Sequence, residues 1–229
     1  MVPERLAPVL DEVRPLAERL AAGGHRAYLV GGTVRDLLLG RDLESVDFDL
    51  TTDARPDDIE QVVRGWADAV WTQGKRFGTI GCRKDGRDFE ITTHRAEAYR
   101  PDSRKPDVRF ADAVEADLSR RDFTVNAMAL RVGPTAGEAG DEPQLVDPFG
   151  GATDLAAGRL RTPLSPGESF TDDPLRMLRA ARFIAAHGLA PEPELVETVR
   201  HLHPRLEVVS AERIRDELDK LLVVERPET

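Results

Sequence analysis

The stretch from Tyr28 to Leu50 constrains the fold most, because it places a glycine turn and two neighbouring aspartates in one short segment. It opens with an apolar run typical of a strand, which ends at Gly31 and Gly32, residues that let a backbone turn sharply and approach a ligand closely. Apolar side chains at helical spacing follow, so a helix is predicted to begin at the glycines. Its first N–H groups, together with Arg35 in the first turn, favour binding of an anion such as a triphosphate.

The same stretch ends in Asp47-Phe48-Asp49-Leu50, where polar and apolar residues alternate. On a strand both carboxylates point to one face. Two carboxylates that close repel each other, and near phosphates the usual countercharge is Mg²⁺. A glycine pair alone is typical of an ordinary loop, and Asp-x-Asp alone is typical of a solvated strand edge. Their combination favours a metal-dependent phosphate site.

Composition limits the broad class of protein. The chain of 229 residues, 40% hydrophobic, is long enough for one large domain or two small ones. Its net charge of −10 argues against a broadly basic nucleic-acid binder, although residues 75–131 are net positive. The single cysteine, Cys82, excludes an intrachain disulfide. We find no signal peptide and no apolar run of membrane-spanning length, so we expect a cytoplasmic protein without a membrane partner.

The first half of the chain predicts packing helices and a hairpin. Helices are predicted over residues 3–22 and 56–67, and strands over residues 77–83 and 87–93. Asp85-Gly86 favours a tight hairpin turn, and we expect both strands to extend the sheet in antiparallel fashion. On the second strand Glu90 shares a face with other polar residues, so it is either a surface residue or a third carboxylate beside Asp47 and Asp49.

The middle of the chain is basic and less regular. Residues 94–108 lack apolar periodicity and predict a mobile basic loop or a plain solvated connection. From residue 111 to 129 we expect helix. This region contains Arg120, Arg121 and Asn126, which are either a solvated face or ligands for phosphate and ribose oxygens. Residues 133–144 predict a loop or linker, and a turn over residues 147–151 predicts the domain boundary.

The last third predicts helices over residues 171–187, 194–202 and 211–224. Asp173 and Arg176 are three residues apart on the first of these, followed at the same step by Arg179 and Arg182. The plain interpretation is an exposed ion pair. A carboxylate acceptor beside a guanidinium donor also matches the base edges of cytosine and adenine, and leaves guanine and uracil unpaired.

Five motifs occur in order along the chain: GGTVRDLLLG with DFD, RRDFTVNAMA, DPFGG, DDPLRMLRAARF and SAERIRDELDKLL. Together they resemble the motifs of one family. The sequence is similar to the class II tRNA nucleotidyltransferases and bacterial poly(A) polymerases, which are polymerase-β-like enzymes that add CCA or A to RNA 3′ ends. The resemblance covers nearly the whole chain.

The resemblance implies an α+β fold, with a polymerase-β-like nucleotidyltransferase head (mixed sheet, flanking helices) over residues 1–149 and an all-α neck over residues 150–229. It implies Asp47 and Asp49 as catalytic Mg²⁺ ligands, with Glu90 as a third catalytic carboxylate. The nucleotide-binding residues predicted in this way are Gly31, Gly32, Arg35, Arg120, Arg121, Asn126, Asp173, Arg176, Arg179 and Arg182. The implied reaction is attack of a tRNA 3′-hydroxyl on CTP or ATP, with release of pyrophosphate and without a nucleic-acid template.

Two features depart from the family pattern. Asp172-Asp173 replaces the Glu-Asp that is frequent in the family, a conservative change. Family members usually continue into helical body and tail domains, which we expect to be absent from this sequence, so it is expected to be either a fragment or an unusually short member. The alternatives within the family are a poly(A) polymerase, a CC-adding enzyme and an A-adding enzyme. Outside it, the alternatives are a non-catalytic nucleotide- or RNA-binding module and an acidic protein-interaction domain.

Overall fold

The structure is a computed structural model that describes residues 6–41, 47–98, 107–134 and 143–225. The α-helices are α1 Ala7–Ala22, α2 Gly32–Leu38, α3 Pro56–Val63, α4 Val114–Ser119, α5 Gly151–Ala156, α6 Pro166–Asp172, α7 Arg176–His187, α8 Pro193–Leu202 and α9 Ala211–Leu222. The strands are β1 Ala27–Val30, β2 Phe48–Thr52, β3 Ala69–Trp71, β4 Thr79–Lys84, β5 Arg87–Thr93, β6 Arg95–Ala98, β7 Asp107–Phe110, β8 Ala129–Val132, β9 Gln144–Val146, β10 Arg159–Leu160 and β11 Ala190–Pro191.

The chain divides into two compact units. Unit 1 comprises Met1–Leu118 and Met128–Pro148, and unit 2 comprises Ser119–Ala127 and Phe149–Thr229. The sequence predicts a single boundary between residues 149 and 150. The segment Ser119–Ala127 lies before that boundary but belongs to unit 2. No helix in the described ranges has the length and apolar character needed to cross a membrane.

Unit 1 contains a seven-stranded sheet in the order β3-β4-β5-β2-β1-β8-β9. The hairpin between β4 and β5 forms as predicted, with positive φ angles of 50° at Asp85 and 83° at Gly86. The prediction of a purely antiparallel extension is wrong, because β5 pairs with β2 in parallel. The long connection through α3, β3 and β4 permits this, since parallel neighbours need a crossover. The sheet is therefore mixed, as the family resemblance implies.

The sheet is covered by apolar side chains from α1 and α3. The helix α1 buries one face of its surface, including Val13, Leu16 and Leu20, and α3 buries Ile59 and Val63. Within the sheet, fully buried side chains come from β2, β4 and β5: Phe48, Leu50, Ile80 and Ile91. Burial of a side chain of this size contributes roughly 1.5–3 kcal/mol, so this apolar layer holds the opposite, polar face of β2 in place.

The basic segment predicted to be a loop over residues 94–108 begins and ends in strands. Its first part, β6, pairs antiparallel with β7. Backbone hydrogen bonds make this pair, so apolar periodicity is not required for it. Residues 99–106, the centre of the predicted loop, lie outside the described residues.

His94 lies at the base of the β6–β7 pair and is fully buried. Thr51 Oγ1 donates to the Thr92 carbonyl at 3.1 Å, and since a hydroxyl has one hydrogen, His94 Nδ1–H must donate to Thr51 Oγ1 across 2.8 Å. Its Nε2 is then the unprotonated nitrogen, buried without a hydrogen-bond partner in the described structure. Burial lowers the pKa of His94 to about 4, against the opposing influence of Asp117 and Asp53.

We expect His94 to lower the free energy of unfolding by about 2 kcal/mol between about pH 7.5 and about pH 5. Its pKa is about 4 in the fold and 6.5 ordinarily, so the unfolded chain binds the proton more readily in this window. The stabilisation is complete above pH 6.5 and is lost as the pH falls towards 4. Urea unfolding of wild type and His94→Gln at both pH values measures it, and the variant should lack this part of the pH dependence. His201→Gln, which removes an exposed histidine of α8, should retain it; equal slopes in wild type and His94→Gln would contradict the assignment.

Unit 2 is helical apart from the two-residue strands β10 and β11, which pair in parallel. Its apolar core combines the segment from Ser119 to Ala127 with residues of the following helices. The core residues are Phe123, Val125, Leu160, Phe170, Met177, Ala180, Phe183, Leu189 and Leu195. The helix predicted over residues 111–129 is wrong in its second half, because α4 ends at Ser119 and only a 3₁₀ turn, Thr124–Asn126, precedes β8. The residues from Asp122 to Leu130 are all buried, so this segment is a core element of the fold.

Candidate functional site

Two exposed aspartates of unit 1 flank the first residue of β2, one just before the strand and one within it, as their alternation with apolar residues predicts. Asp47 and Asp49 are exposed, whereas Phe48 and Leu50 are buried. In the parallel pairing of β2 with β5, Asp49 lies directly opposite Glu90. Partners in register point to the same face of a sheet, so the structure brings all three predicted carboxylates to one exposed face.

These three carboxylates do not form a preassembled metal site in the described structure. Across the described ranges, no group of three or more His, Cys, Asp and Glu side chains is close enough to hold a metal ion. The exposed oxygens of Asp47 and Asp49 nevertheless fit Mg²⁺, which takes one or two carboxylates and keeps waters or substrate phosphate oxygens as its other ligands. Glu90 is close in register, but a direct metal-ligand role for it stays a prediction.

Next to Glu90 the same face carries an aromatic side chain. Glu90 pairs with Gly81 of β4, and Gly81 pairs with Trp71 of β3. A side chain at Gly81 would meet the Trp71 indole Nε1 at 1.8 Å, so only glycine leaves room for this ring. Trp71, 37% exposed, was not among the residues singled out in the sequence.

The glycine turn between β1 and α2 has the predicted sharp geometry. Gly31 has φ 70° and ψ −133°, a conformation that side chains strongly disfavour. The Arg35 guanidinium lies above the turn, since its Nη2 is 3.5 Å from the position a Cβ would occupy on Gly32. Arg35 also donates to both carboxylate oxygens of Asp36, at 3.1 and 2.8 Å. A buried cation is thus fixed beside the turn, as an anion site requires.

Asp173 and Arg176, which were predicted to share one helix, lie on the two sides of a helix junction, and the Arg176 N–H donates to the Asp173 carbonyl at 3.0 Å. The helix α6 ends at Asp172, and Asp173 is extended with φ −138°. Pro174 explains the break, because a proline disfavours helical conformation in the residue before it. Arg176 is 9% exposed and donates to Ser169 Oγ at 2.9 Å and to the Arg120 carbonyl. The two side chains therefore have separate partners within unit 2.

Asp173 has two defined partners of its own. Its Oδ1 accepts the Leu175 N–H at 3.2 Å, and its Oδ2 accepts from Arg213 Nη2 at 2.9 Å. Arg213 lies in the first turn of α9, where the Ser210 side chain caps the helix by accepting the Arg213 N–H. Arg213 was not predicted as a site residue, although it lies in the SAERIRDELDKLL motif that contributes to the family resemblance.

Asp122 is the central carboxylate of the buried segment in unit 2. Arg179 donates to its Oδ2 through Nε at 2.9 Å and through Nη2, while Asn126 Nδ2 and the Phe123 N–H donate to its Oδ1 at 3.1 and 2.8 Å. Burial by itself would raise the pKa of Asp122, but Arg179 and these hydrogen bonds hold it below its usual range. Asp122 is therefore a buried, fully paired anion.

Of the other predicted nucleotide-binding arginines of unit 2, Arg182 also pairs with a buried carboxylate. Arg182 pairs with Glu217 of α9, which is 3% exposed. Arg120 and Arg121 are half-buried, and the Arg120 carbonyl is held by Arg176. Nucleotide binding by Arg179 and Arg182 stays a prediction, and their ion pairs give both a structural role as well.

Comparison with known protein families identifies the first part of the chain. The poly(A) polymerase head domain matches residues 27–161, which is more than half of the chain. The chain belongs to the poly(A) polymerase head-domain family. A second family, described as the probable RNA and SrmB-binding site of polymerase A, matches residues 188–229. In this family the mixed sheet with flanking helices is the polymerase-β-like head, so the predicted fold class is confirmed.

Relatives of this poly(A) polymerase head-domain protein are CCA-adding enzymes. The Streptococcus suis CCA-adding enzyme is 39% identical over 216 residues, 94% of this chain and 50% of the relative. The Bacillus stearothermophilus CCA-adding enzyme in complex with CTP has a TM-score of 0.79 and 32% identity, covering 98% of this chain and 50% of that one. The Thermotoga maritima CCA-adding enzyme complexed with tRNA-CCA has a TM-score of 0.75 and 29% identity, covering 99% and 49%. The chain spans about half the length of the relatives that it matches.

Proposed function

We propose that this chain is the catalytic part of a template-independent RNA nucleotidyltransferase that adds C and A to tRNA 3′ ends from CTP and ATP. The carrying observation is the exposed pair Asp47 and Asp49, with Asp49 in register with Glu90, within a head domain of this family. We assign the nucleotidyltransferase head to residues 1–149 and the neck to residues 150–229, although unit 2 also includes Ser119–Ala127 from the predicted head. Since its substrate is tRNA, we place the reaction in the cytoplasm.

In unit 1 the proposed chemistry is nucleotidyl transfer. Gly31, Gly32 and Arg35 bind the triphosphate, because the turn admits close approach and the guanidinium supplies fixed positive charge. Asp47 and Asp49 would hold Mg²⁺, which supplies Lewis-acid stabilisation of charge on the phosphate oxygens. The RNA 3′-hydroxyl then attacks the α-phosphate of CTP or ATP, and pyrophosphate leaves.

In unit 2 the proposed task is base recognition. Asp173 accepts a hydrogen bond from the exocyclic amino group that cytosine and adenine present, and Arg176 donates to the neighbouring ring nitrogen. Uracil presents a carbonyl where cytosine has its amino group, so a carboxylate at that point leaves two acceptors facing each other. Arg120, Arg121 and Asn126 are proposed for the sugar and phosphate end. The complexes of relatives with CTP and with tRNA-CCA support a nucleotide and tRNA as the proposed ligands of this protein.

Product length tests the proposed function. We expect CTP alone to extend a tRNA that lacks CCA by the two C residues, and CTP with ATP to complete CCA. Gel analysis at single-nucleotide resolution reads both products, and chelation of divalent cations by EDTA should stop both additions because Asp47 and Asp49 then have no ion to bind. A matching tRNA that already ends in CCA is the control, since it should not be extended. Unlimited A tails would instead assign poly(A) polymerase activity, and C or A addition alone would assign a specialist.

A further inference from the structure

We propose that Arg213 is a positioning residue that aims the Asp173 carboxylate at the incoming base and so sets discrimination between CTP and UTP. This inference rests on the proposed function and extends it to a residue of α9. Arg213 acts through Asp173, and its effect is on base choice.

The hydrogen bonds at Asp173 determine where its free lone pairs point. Leu175 N–H holds Oδ1 at 3.2 Å, and Arg213 Nη2 holds Oδ2 at 2.9 Å. A carboxylate held at both oxygens cannot rotate about its Cβ–Cγ bond without breaking one of these bonds. Each oxygen has a second acceptor site, which remains for a ligand donor. Without Arg213, the carboxylate is held by Oδ1 alone and can turn.

Contacts before and after Arg213 in the sequence fix the position of α9. Ser210 caps the first turn by accepting the Arg213 N–H at 3.4 Å. One turn later, on the same face of the helix, the buried Glu217 accepts from Arg182 of α7. Asp173 lies three residues before α7, so the Arg182–Glu217 pair fixes the distance between the helix that carries Arg213 and the segment that carries Asp173. Arg213 can therefore hold the Asp173 carboxylate in one orientation. The Asp173 side chain is 25% exposed, so a ligand can still reach it.

An ionised carboxylate is an acceptor in every orientation, but one that can turn away from the base holds an amino group less tightly and repels a carbonyl less, so its preference between the two weakens. Cytosine and uracil differ at this position in just that respect, so the ratio of UTP to CTP dissociation constants reports the orientation of Asp173. We expect Arg213→Ala to lower this ratio by about 10-fold, the equivalent of about 1.4 kcal/mol. Arg213→Lys keeps the charge but offers a point donor on a flexible stem, so its ratio should be intermediate.

The test is titration of CTP and UTP, each with Mg²⁺, into wild type and variants whose folding is checked by thermal unfolding. Arg215→Ala is the matched control, because Arg215 lies on the same helix, is exposed and pairs with the adjacent Asp216 at 3.1 Å; its ratio should equal that of wild type. An unchanged ratio in Arg213→Ala, or an equal loss of affinity for both nucleotides, would overturn the inference. Failure of the proposed function itself is distinct: wild type would then bind neither nucleotide, or bind both equally.

Discussion

Replacement of Asp49 by alanine is expected to reduce nucleotide incorporation by about 10³-fold while CTP binding survives in part, because a metal contact contributes several kcal/mol to transition-state charge stabilisation. Asp47→Ala should have an effect of the same order. Both carboxylates are exposed on one sheet face, so neither truncation opens a cavity in the core. The triphosphate retains the glycine turn and Arg35, which explains the surviving affinity. Single-turnover incorporation and CTP titration measure the two quantities separately.

Two further variants, one at Glu90 and one at a surface aspartate, show whether the loss of incorporation is specific to Asp47 and Asp49. Glu90→Gln should reduce incorporation less than either aspartate variant, since no three-carboxylate metal group is preassembled in the described structure. Asp11→Ala, which removes an aspartate of α1 that is 71% exposed, should leave incorporation unchanged. Wild-type rates of incorporation in both Asp47→Ala and Asp49→Ala would contradict the assignment of these aspartates as metal ligands. A Glu90→Gln loss as large as theirs would show that the third carboxylate binds the ion in the active complex.

The elements around the proposed phosphate and metal site could be predicted from sequence because each has a local physical signal. Gly31 is required by its backbone conformation, and the alternation around Phe48 follows from a strand buried on one side. The parallel pairing of β2 with β5 has no such signal. It depends on how the intervening segment crosses over, which the strand sequences do not encode. The register of Asp49 with Glu90 was therefore visible only in the structure.

Pro174 is the sequence signal for the helix break before α7, but the helical spacing of the apolar residues around it obscured that signal. Apolar residues continue at helical spacing past Pro174, yet a proline disfavours helix in the preceding residue, here Asp173. Ser165 and Glu168 likewise form a capping box that marks the true start of α6. The consequence for the site is specific: Asp173 belongs to a helix junction, and its carboxylate is oriented by the Leu175 N–H and Arg213.

The roles of the arginines in unit 2 could not be predicted from spacing. A guanidinium that binds phosphate and one that pairs with a buried carboxylate occur in the same sequence pattern, and only the tertiary partner separates them. For Arg179 that partner is Asp122, which is distant in sequence. An aspartate at the head of a mainly apolar segment was the available clue, because buried carboxylates need a paired cation.

The Asp122–Arg179 pair should be the most sensitive point of unit 2 to substitution. Arg179→Met leaves the Asp122 carboxylate, 8% exposed, with only neutral donors, and we expect it to lower the free energy of unfolding by about 3 kcal/mol, or Tm by about 10 °C. Asp122→Asn should destabilise as well, because it leaves Arg179 without its counterion.

Together the two changes should cost less than the sum of the single effects, by about 2 kcal/mol, since the double variant no longer carries an unpaired charge. Denaturant unfolding of the four proteins measures this coupling. The surface pair Glu197 and Arg200 of α8, with side chains 71% and 70% exposed, is the matched control, and Arg200→Met should change stability by less than about 0.5 kcal/mol. Additive single effects would contradict the assignment of Asp122 and Arg179 as one structural unit. In that case the nucleotide-binding role predicted for Arg179 would become the better explanation of its position.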